Sequence, residues 1–215
     1  MAAKSDSLAP HFADLEQQHE AATLGMWIFL ATELMFFGGL FTAYTVYRHR
    51  YPEEFAAAST RLNLVFGGVN TVVLLTSSLT MALAVYAARV GRRDWLISCL
   101  GLTGLLGAAF LVIKGFEYHG DYADNLVPGL AFVESEWPKP AGVKLFLLLY
   151  YLMTGVHALH LIIGIVLMSV LAALARRGRY SSEYYAPVEV GGLYWHFVDV
   201  IWIFLLPLLY MVGVR

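Results

Sequence analysis

Seven ionisable side chains lie in or beside long apolar stretches of this sequence: Glu33, Glu117, His157, His160, Glu189, His196 and Asp199. Carboxyl and imidazole groups in such surroundings can do three kinds of chemistry. They can ligate a metal or a heme iron, exchange protons, or tie neighbouring helices together by hydrogen bonds. An ionisable group inside a bilayer costs roughly 2.5 kcal/mol or more, and usually faces protein rather than lipid.

Spacing narrows the choice. His157 and His160 are three residues apart, which puts them near one helix face, extended by Thr154 and Gly164. A bis-histidine heme needs ligands from opposite sides, which two neighbours on one face do not give. His196 is the one further histidine well placed in an apolar run. The pair is therefore read as hydrogen-bonding Glu33 and other helices, with metal ligation as the weaker reading. Glu33 follows Ala22 by eleven residues, roughly 17 Å along a helix at about 1.5 Å per residue. A carboxyl at that depth is either a neutral tie between helices or a proton-exchanging group. His196 and Asp199 form another spacing of three, with Glu189 one heptad before His196, and the three are expected to share a stripe and form a histidine–carboxylate anchor. Lys114 and Glu117 are expected to pair in the same way, with Lys114 reaching towards the headgroups. No catalytic, cofactor-binding or metal-ligating residue is assigned.

The elements that carry these residues are legible from hydropathy. The chain has 215 residues, 59% hydrophobic and 14% charged, against about 25% charged in ordinary soluble domains. A bilayer core needs about 20 apolar residues in helical form. Five runs meet that length, over residues 22–47, 64–88, 95–113, 143–174 and 193–214. Backbone groups in hydrocarbon must bond internally, so these runs are expected to be helices in an all-α membrane bundle. Residues 1–21 read as a polar tail with no cleavable signal peptide. Residues 48–63 and 114–142 read as loops, the latter carrying Asp121, Asp124, Glu134 and Glu136. Gly101, Gly104 and Gly107 are expected to form a smooth strip for a second backbone.

Several function classes are excluded. A formal net charge of −2 offers no basic surface for nucleic acid. The single cysteine, Cys99, forms neither an internal disulfide nor a thiolate metal centre. Seven basic residues would fall on each side of the membrane: Lys4, Arg89, Arg92, Arg93, Arg176, Arg177 and Arg179 against Arg48, Arg50, Arg61, Lys114, Lys139, Lys144 and Arg215. That parity leaves only the tight clusters at 89–93 and 176–179 to lean towards a cytoplasmic N-terminus. A small proton channel using Glu33, His157 and His160 remains a reading of another class.

Five stretches resemble subunit III of the heme–copper respiratory oxidases: LGMWIFLATELMFFGGLFTAY, NTVVLLTSSLTMALA, FLVIKGFEY, MTGVHALHLIIG and EVGGLYWHFVDVIWIFLLPLLY. They cover all five runs in order, and the histidine pair and the final YWHFVD are the most specific. The resemblance implies an accessory subunit without a redox centre, packed on catalytic subunit I beside subunit II, with heme and copper in those partners. It also implies bound phospholipid, support of proton uptake and stability during aerobic electron transport, and a bacterial inner membrane. In this light Glu33 matches a buried carboxyl near subunit I, His157 and His160 match a histidine pair, and Glu117, Glu189, His196 and Asp199 match other recurrent polar positions. Longer members have two further helices before the segment matching 22–47; the five-helix form is similar to subunits of quinol oxidases and to proteins encoded near nitric oxide reductases. The electron donor, cytochrome c or quinol, is therefore left open.

Overall fold

The computed structural model describes residues 12–130 and 132–213. Residues 1–11 of the expected tail, with Lys4, and residues 214–215, with the end of the fifth expected span and Arg215, lie outside the described residues, as does the side chain of Glu136. The helices are α1 (Leu15–Arg50), α2 (Pro52–Ser59), α3 (Leu64–Arg89), α4 (Arg93–Ala123), α5 (Pro140–Arg176) and α6 (Ala186–Tyr210), with a short 3₁₀ turn at Glu134–Glu136. Five of them, all but α2, are long and apolar enough to cross a membrane. No strand occurs among the described residues. The chain is a multi-pass membrane bundle.

The long helices outrun their apolar runs at most ends, because polar residues make those ends; α6 instead stops at Tyr210, short of the expected 214. Asp14 caps α1 by accepting from Gln17 N at 2.8 Å, while Gln17 Oε1 accepts from Ala13 N. The polar residues 15–21 are thus the first two turns of α1, where a tail was expected. Asn63 caps α3 in the same way, accepting from Val65 N and Phe66 N. At the other ends, α3 and α5 finish in a left-handed glycine, Gly91 (φ 71) and Gly178 (φ 72). Arg92 N bonds Ala87 O and Arg179 N bonds Leu174 O, closing the last turn of each helix. Asn125 (φ 57) ends α4 with the same bonds.

Two connections differ from expectation. The loop expected at 48–63 contains α2, begun by Pro52 in the first turn, where its missing N–H costs nothing. The first ten residues of the loop expected at 114–142 belong to α4, so Asp121 stands on a helix. Beyond it, Lys139 donates to Glu53 at 3.0 Å and Lys144 to Glu134 at 3.3 Å, and the hydrogen bond to Glu53 holds the Lys139 ammonium above its usual range.

Helices α3, α4, α5 and α6 form a ring of neighbours, with α3 packed on α4 and α6, and α5 on the same two. Helix α1 lies outside the ring against α5 and α6, and α2 sits on α5. In α1 only Leu30, Phe37 and Tyr44 are buried, one residue per heptad. The core is aromatic: Trp195, Trp202, Tyr44, Tyr150, Tyr210, Phe37, Phe55, Phe110 and Phe146 are its largest fully buried side chains.

The glycine strip of α4 works differently from the expected backbone contact. A Cβ at Gly107 would lie 2.7 Å from Trp195 Cη2, one at Gly104 only touches Met168, and one at Gly101 meets open space. Residues three apart turn progressively round a helix, so the three differ in how closely a neighbour approaches, and only Gly107 is tightly covered. On α5, Gly164 receives the other side of the Trp195 indole, 3.0 Å from a built Cβ. Trp195 is clamped between two glycines and donates its indole N–H to Ser77 Oγ at 3.1 Å. Gly107→Ala should therefore lower stability by about 1–3 kcal/mol through overpacking, whereas Gly101→Ala should leave it unchanged or raise it. Unfolding midpoints of the two variants in the same detergent check this.

Candidate functional site

The most heavily built polar site lies within the membrane-spanning helices, towards the end of the bundle where α4 finishes. Lys114, Glu117 and Asp121 are spaced by three and four residues, which stacks them on one face of α4. All three are buried. Lys114 Nζ lies 3.1 Å from Glu117 Oε2 and 3.0 Å from Tyr150 Oη, and it also donates to Tyr210 Oη. The rings of Tyr118, Tyr150, Trp202 and Tyr210 surround the ammonium at 4.8–5.4 Å, a cage in which ring quadrupoles replace part of its lost hydration. Tyr150 and Tyr210 both donate to Glu117 Oε1. The expected Lys114–Glu117 pair is present, but Lys114 turns into the bundle instead of towards the headgroups. Four aromatic rings and two hydroxyls make the interior the better-coordinated place.

The two histidines of α5 part company. His160 Nε2 meets Glu33 Oε2 of α1 at 3.1 Å, and its Nδ1 faces Val156 O at 2.8 Å, so Nδ1 carries a proton and donates to that carbonyl. The expected Glu33 tie to α5 is thus made by His160 alone. Glu33 retains about a fifth of its side-chain exposure. His157, one turn away, enters the ring of helices between Phe110 and Trp202, with centroids at 5.6 and 5.3 Å, and neither ring nitrogen has a partner among the described residues. A spacing of three residues is a 60° offset, and here it separates the α1 interface from the core.

The expected His196–Asp199 anchor does not form. His196 Nδ1 pairs with Ser78 Oγ at 2.8 Å, and the same Ser78 side chain faces the buried Asp199 carboxyl, so the serine stands between the two residues expected to pair. Glu189 stands one heptad before His196 on the same stripe of α6, but it pairs with neither of them. It lies at the start of α6, where Arg89 donates to it and His19 approaches at 3.6 Å. Arg93 donates to the carbonyls of Ala175 and Arg176, completing the end of α5. No group of three or more His, Cys, Asp or Glu positioned for a metal ion occurs among the described residues.

Sequence reasoning named Glu117 but missed Tyr150, Tyr210 and Asp121 as its companions. The signal for Asp121 was present, since 114, 117 and 121 follow helical spacing. Extending α4 past Ile113 would have found it. Nothing local in the sequence points to Tyr150 or Tyr210, which reach the site through tertiary packing of α5 and α6.

Residues 15–214 match the family model for cytochrome c oxidase subunit III. The chain is 36% identical to cytochrome c oxidase subunit 3 of Synechocystis sp., over 87% of this chain and 74% of that protein. It is 34% identical to the protein of the same name from Thermostichus vulcanus, over 87% and 86% of the two chains. It is 28% identical to the cytochrome bo(3) ubiquinol oxidase subunit 3 of Pseudomonas aeruginosa, over 93% and 90%.

Removing one partner of a buried ion pair leaves the other uncompensated. Lys114→Met should therefore destabilise the bundle by about 3–5 kcal/mol, and Lys114→Met with Glu117→Leu should recover a large part of that loss. Unfolding of both single variants and the double variant by denaturant checks the sign of the coupling.

Proposed function

This chain belongs to the cytochrome c oxidase subunit III family, and on that premise we propose that it is the accessory subunit III of a heme–copper terminal oxidase in a bacterial inner membrane. It packs directly on subunit I, in a complex that includes subunit II, and carries no redox centre itself. Heme and copper belong to the partner subunits, and phospholipid fills its grooves. It is not an enzyme alone. Its effect is indirect: it restricts the shapes available to subunit I and supports proton uptake during turnover.

The observation that carries this reading, beside the family match, is the state of α1. This helix holds a carboxylate at mid-span, yet buries only Leu30, Phe37 and Tyr44 against its own bundle. Glu33 is partly exposed beside Trp27, Leu34, Met35 and Phe36, all open to the outside, and Gly38 and Gly39 have free space over their backbones. An ionisable group and small residues on the outer side of a transmembrane helix favour a second protein there over lipid. Glu33 and His160 form the rim of that contact in this proposal. Glu117, His157, Glu189, His196 and Asp199 hold the bundle that presents it.

A cytoplasmic N-terminus is part of the proposal. The three lysines assigned to the opposite side, Lys114, Lys139 and Lys144, are each paired with a carboxylate. Arg176, Arg177 and Arg179, on the N-terminal side, are exposed, as are Arg48, Arg50 and Arg61 on the other, so the orientation leans on the tightness of the 176–179 cluster.

A quinol-oxidising complex is the second reading, favoured by the match to the ubiquinol oxidase subunit over most of both chains. Purification through a tag on this chain decides between them, because a co-purifying subunit with paired copper-binding cysteines marks a cytochrome c donor. Oxidase prepared without this chain should begin oxygen reduction at close to the intact rate and then lose activity during turnover. Immediate loss of all activity would overturn the accessory role, and recovery of this chain with no oxidase subunit would overturn the family-based assignment of partners.

A further inference from the structure

We propose that the Lys114–Glu117–Asp121 cluster holds one proton at neutral pH, carried by Asp121 and hydrogen-bonded to Tyr150. Two independent counts lead there. The first is of charge. The cluster contains one ammonium and two carboxylates, and all three side chains are buried. Fully ionised, it would carry one uncompensated negative charge. Among the described residues, the only ion pair that reaches it is Lys114 with Glu117. The other groups facing it are Tyr118 on α4, Tyr150, Tyr151 and Thr154 on α5, and Tyr210 on α6. None is a cation. His157 stacks on Trp202, but with no acceptor at either ring nitrogen it has nothing to support an imidazolium. An unpaired charge in such a place is prohibitively costly, and the economical remedy is a proton.

The second count is of hydrogens. Two carboxylates converge on a single phenol: Tyr150 Oη lies 2.9 Å from Glu117 Oε1 and 3.3 Å from Asp121 Oδ2. A phenol has one proton to give. If it serves Glu117, the Asp121 contact has oxygen facing oxygen with no hydrogen between, unless Asp121 supplies it. With Asp121 protonated the network closes. Tyr150 donates to Glu117 and accepts from Lys114 and Asp121. Glu117 accepts from Lys114, Tyr150 and Tyr210 and stays ionised. Tyr151 donates to Asp121 Oδ2 at 3.4 Å. Asp121 is also the most exposed of the three, at 6% against 3% and 2%, so exchange with the surface runs through it. The subunit thus has a proton-binding site of its own, distinct from the Glu33–His160 contact.

Substitutions separate the two carboxyls, because Asn is the isostere of a protonated Asp and Gln that of a protonated Glu. Asp121→Asn should accumulate in the purified native assembly at the wild-type level, whereas Glu117→Gln should accumulate poorly. The infrared difference spectrum of wild type minus Asp121→Asn at neutral pH should show the carbonyl stretch of a protonated carboxyl, shifted down in D₂O. Failure of Asp121→Asn to assemble would show that an ionised carboxylate is required there and would overturn the proposal. A difference spectrum without that band, or a band lost instead in Glu117→Gln, would overturn it equally.

Discussion

Hydrocarbon offers no hydrogen bonds, so the polar groups of this bundle depend on protein for their partners, and that dependence organises most of the interior. The answer is mostly given by aromatic residues with a polar atom at the rim. Trp195 reaches Ser77, Trp202 reaches Thr71, Tyr194 reaches the carbonyl of His160, and Tyr44 reaches the carbonyl of Leu208. These residues combine large apolar area with one directed hydrogen bond. Tyr44 serves a particular need, because Leu208 lies in the last turn of α6, where the carbonyls have no helical N–H left to accept from. Around Lys114 the same principle is carried furthest, with hydroxyls and ring faces standing in for water.

Hydropathy alone located the five spans, because apolar runs of bilayer length have few other outcomes. It drew most spans too short, because caps and terminal turns are polar and resemble loops: Asp14, Gln17 and the segment from Lys114 to Ala123 all read as hydrophilic linkers, while the apolar residues after Tyr210 carried the fifth span too far. Pairings three residues apart were legible where both members share one helix and face the core, as with Lys114 and Glu117. They failed where the 60° offset put the two members on different neighbours, as with His157 and His160, or gave one a better partner on another helix, as with His196 and Ser78. The companions of Glu117 on α5 and α6 were not legible, since which faces of three helices meet is decided by packing over the whole bundle. The resemblance identified the family and the positions, while the partners of those positions came from the structure.

The loops show how charge is used outside the hydrocarbon. The turn from Arg89 to Asp94 looks like a block of positive charge, yet its arginines are assigned different tasks. Arg89 holds Glu189 at the entrance to α6, Arg92 lies over Trp95, and Arg93 closes the end of α5. Charge that secures helix ends is not free to act at the membrane surface. The lysines on the other side are likewise committed to carboxylates.

The seating of α1 bears on how the chain is assembled. Its polar attachments join residues far apart in sequence, such as Tyr44 with Leu208 across 164 positions and Glu33 with His160 across 127. Contacts so remote close late, after the intervening chain has been made. The helices that receive α1 are synthesised after it, so during biogenesis it must wait in the lipid with its acidic residue unattended. An insertion factor that shelters Glu33 in that interval would meet a need written into the order of the helices.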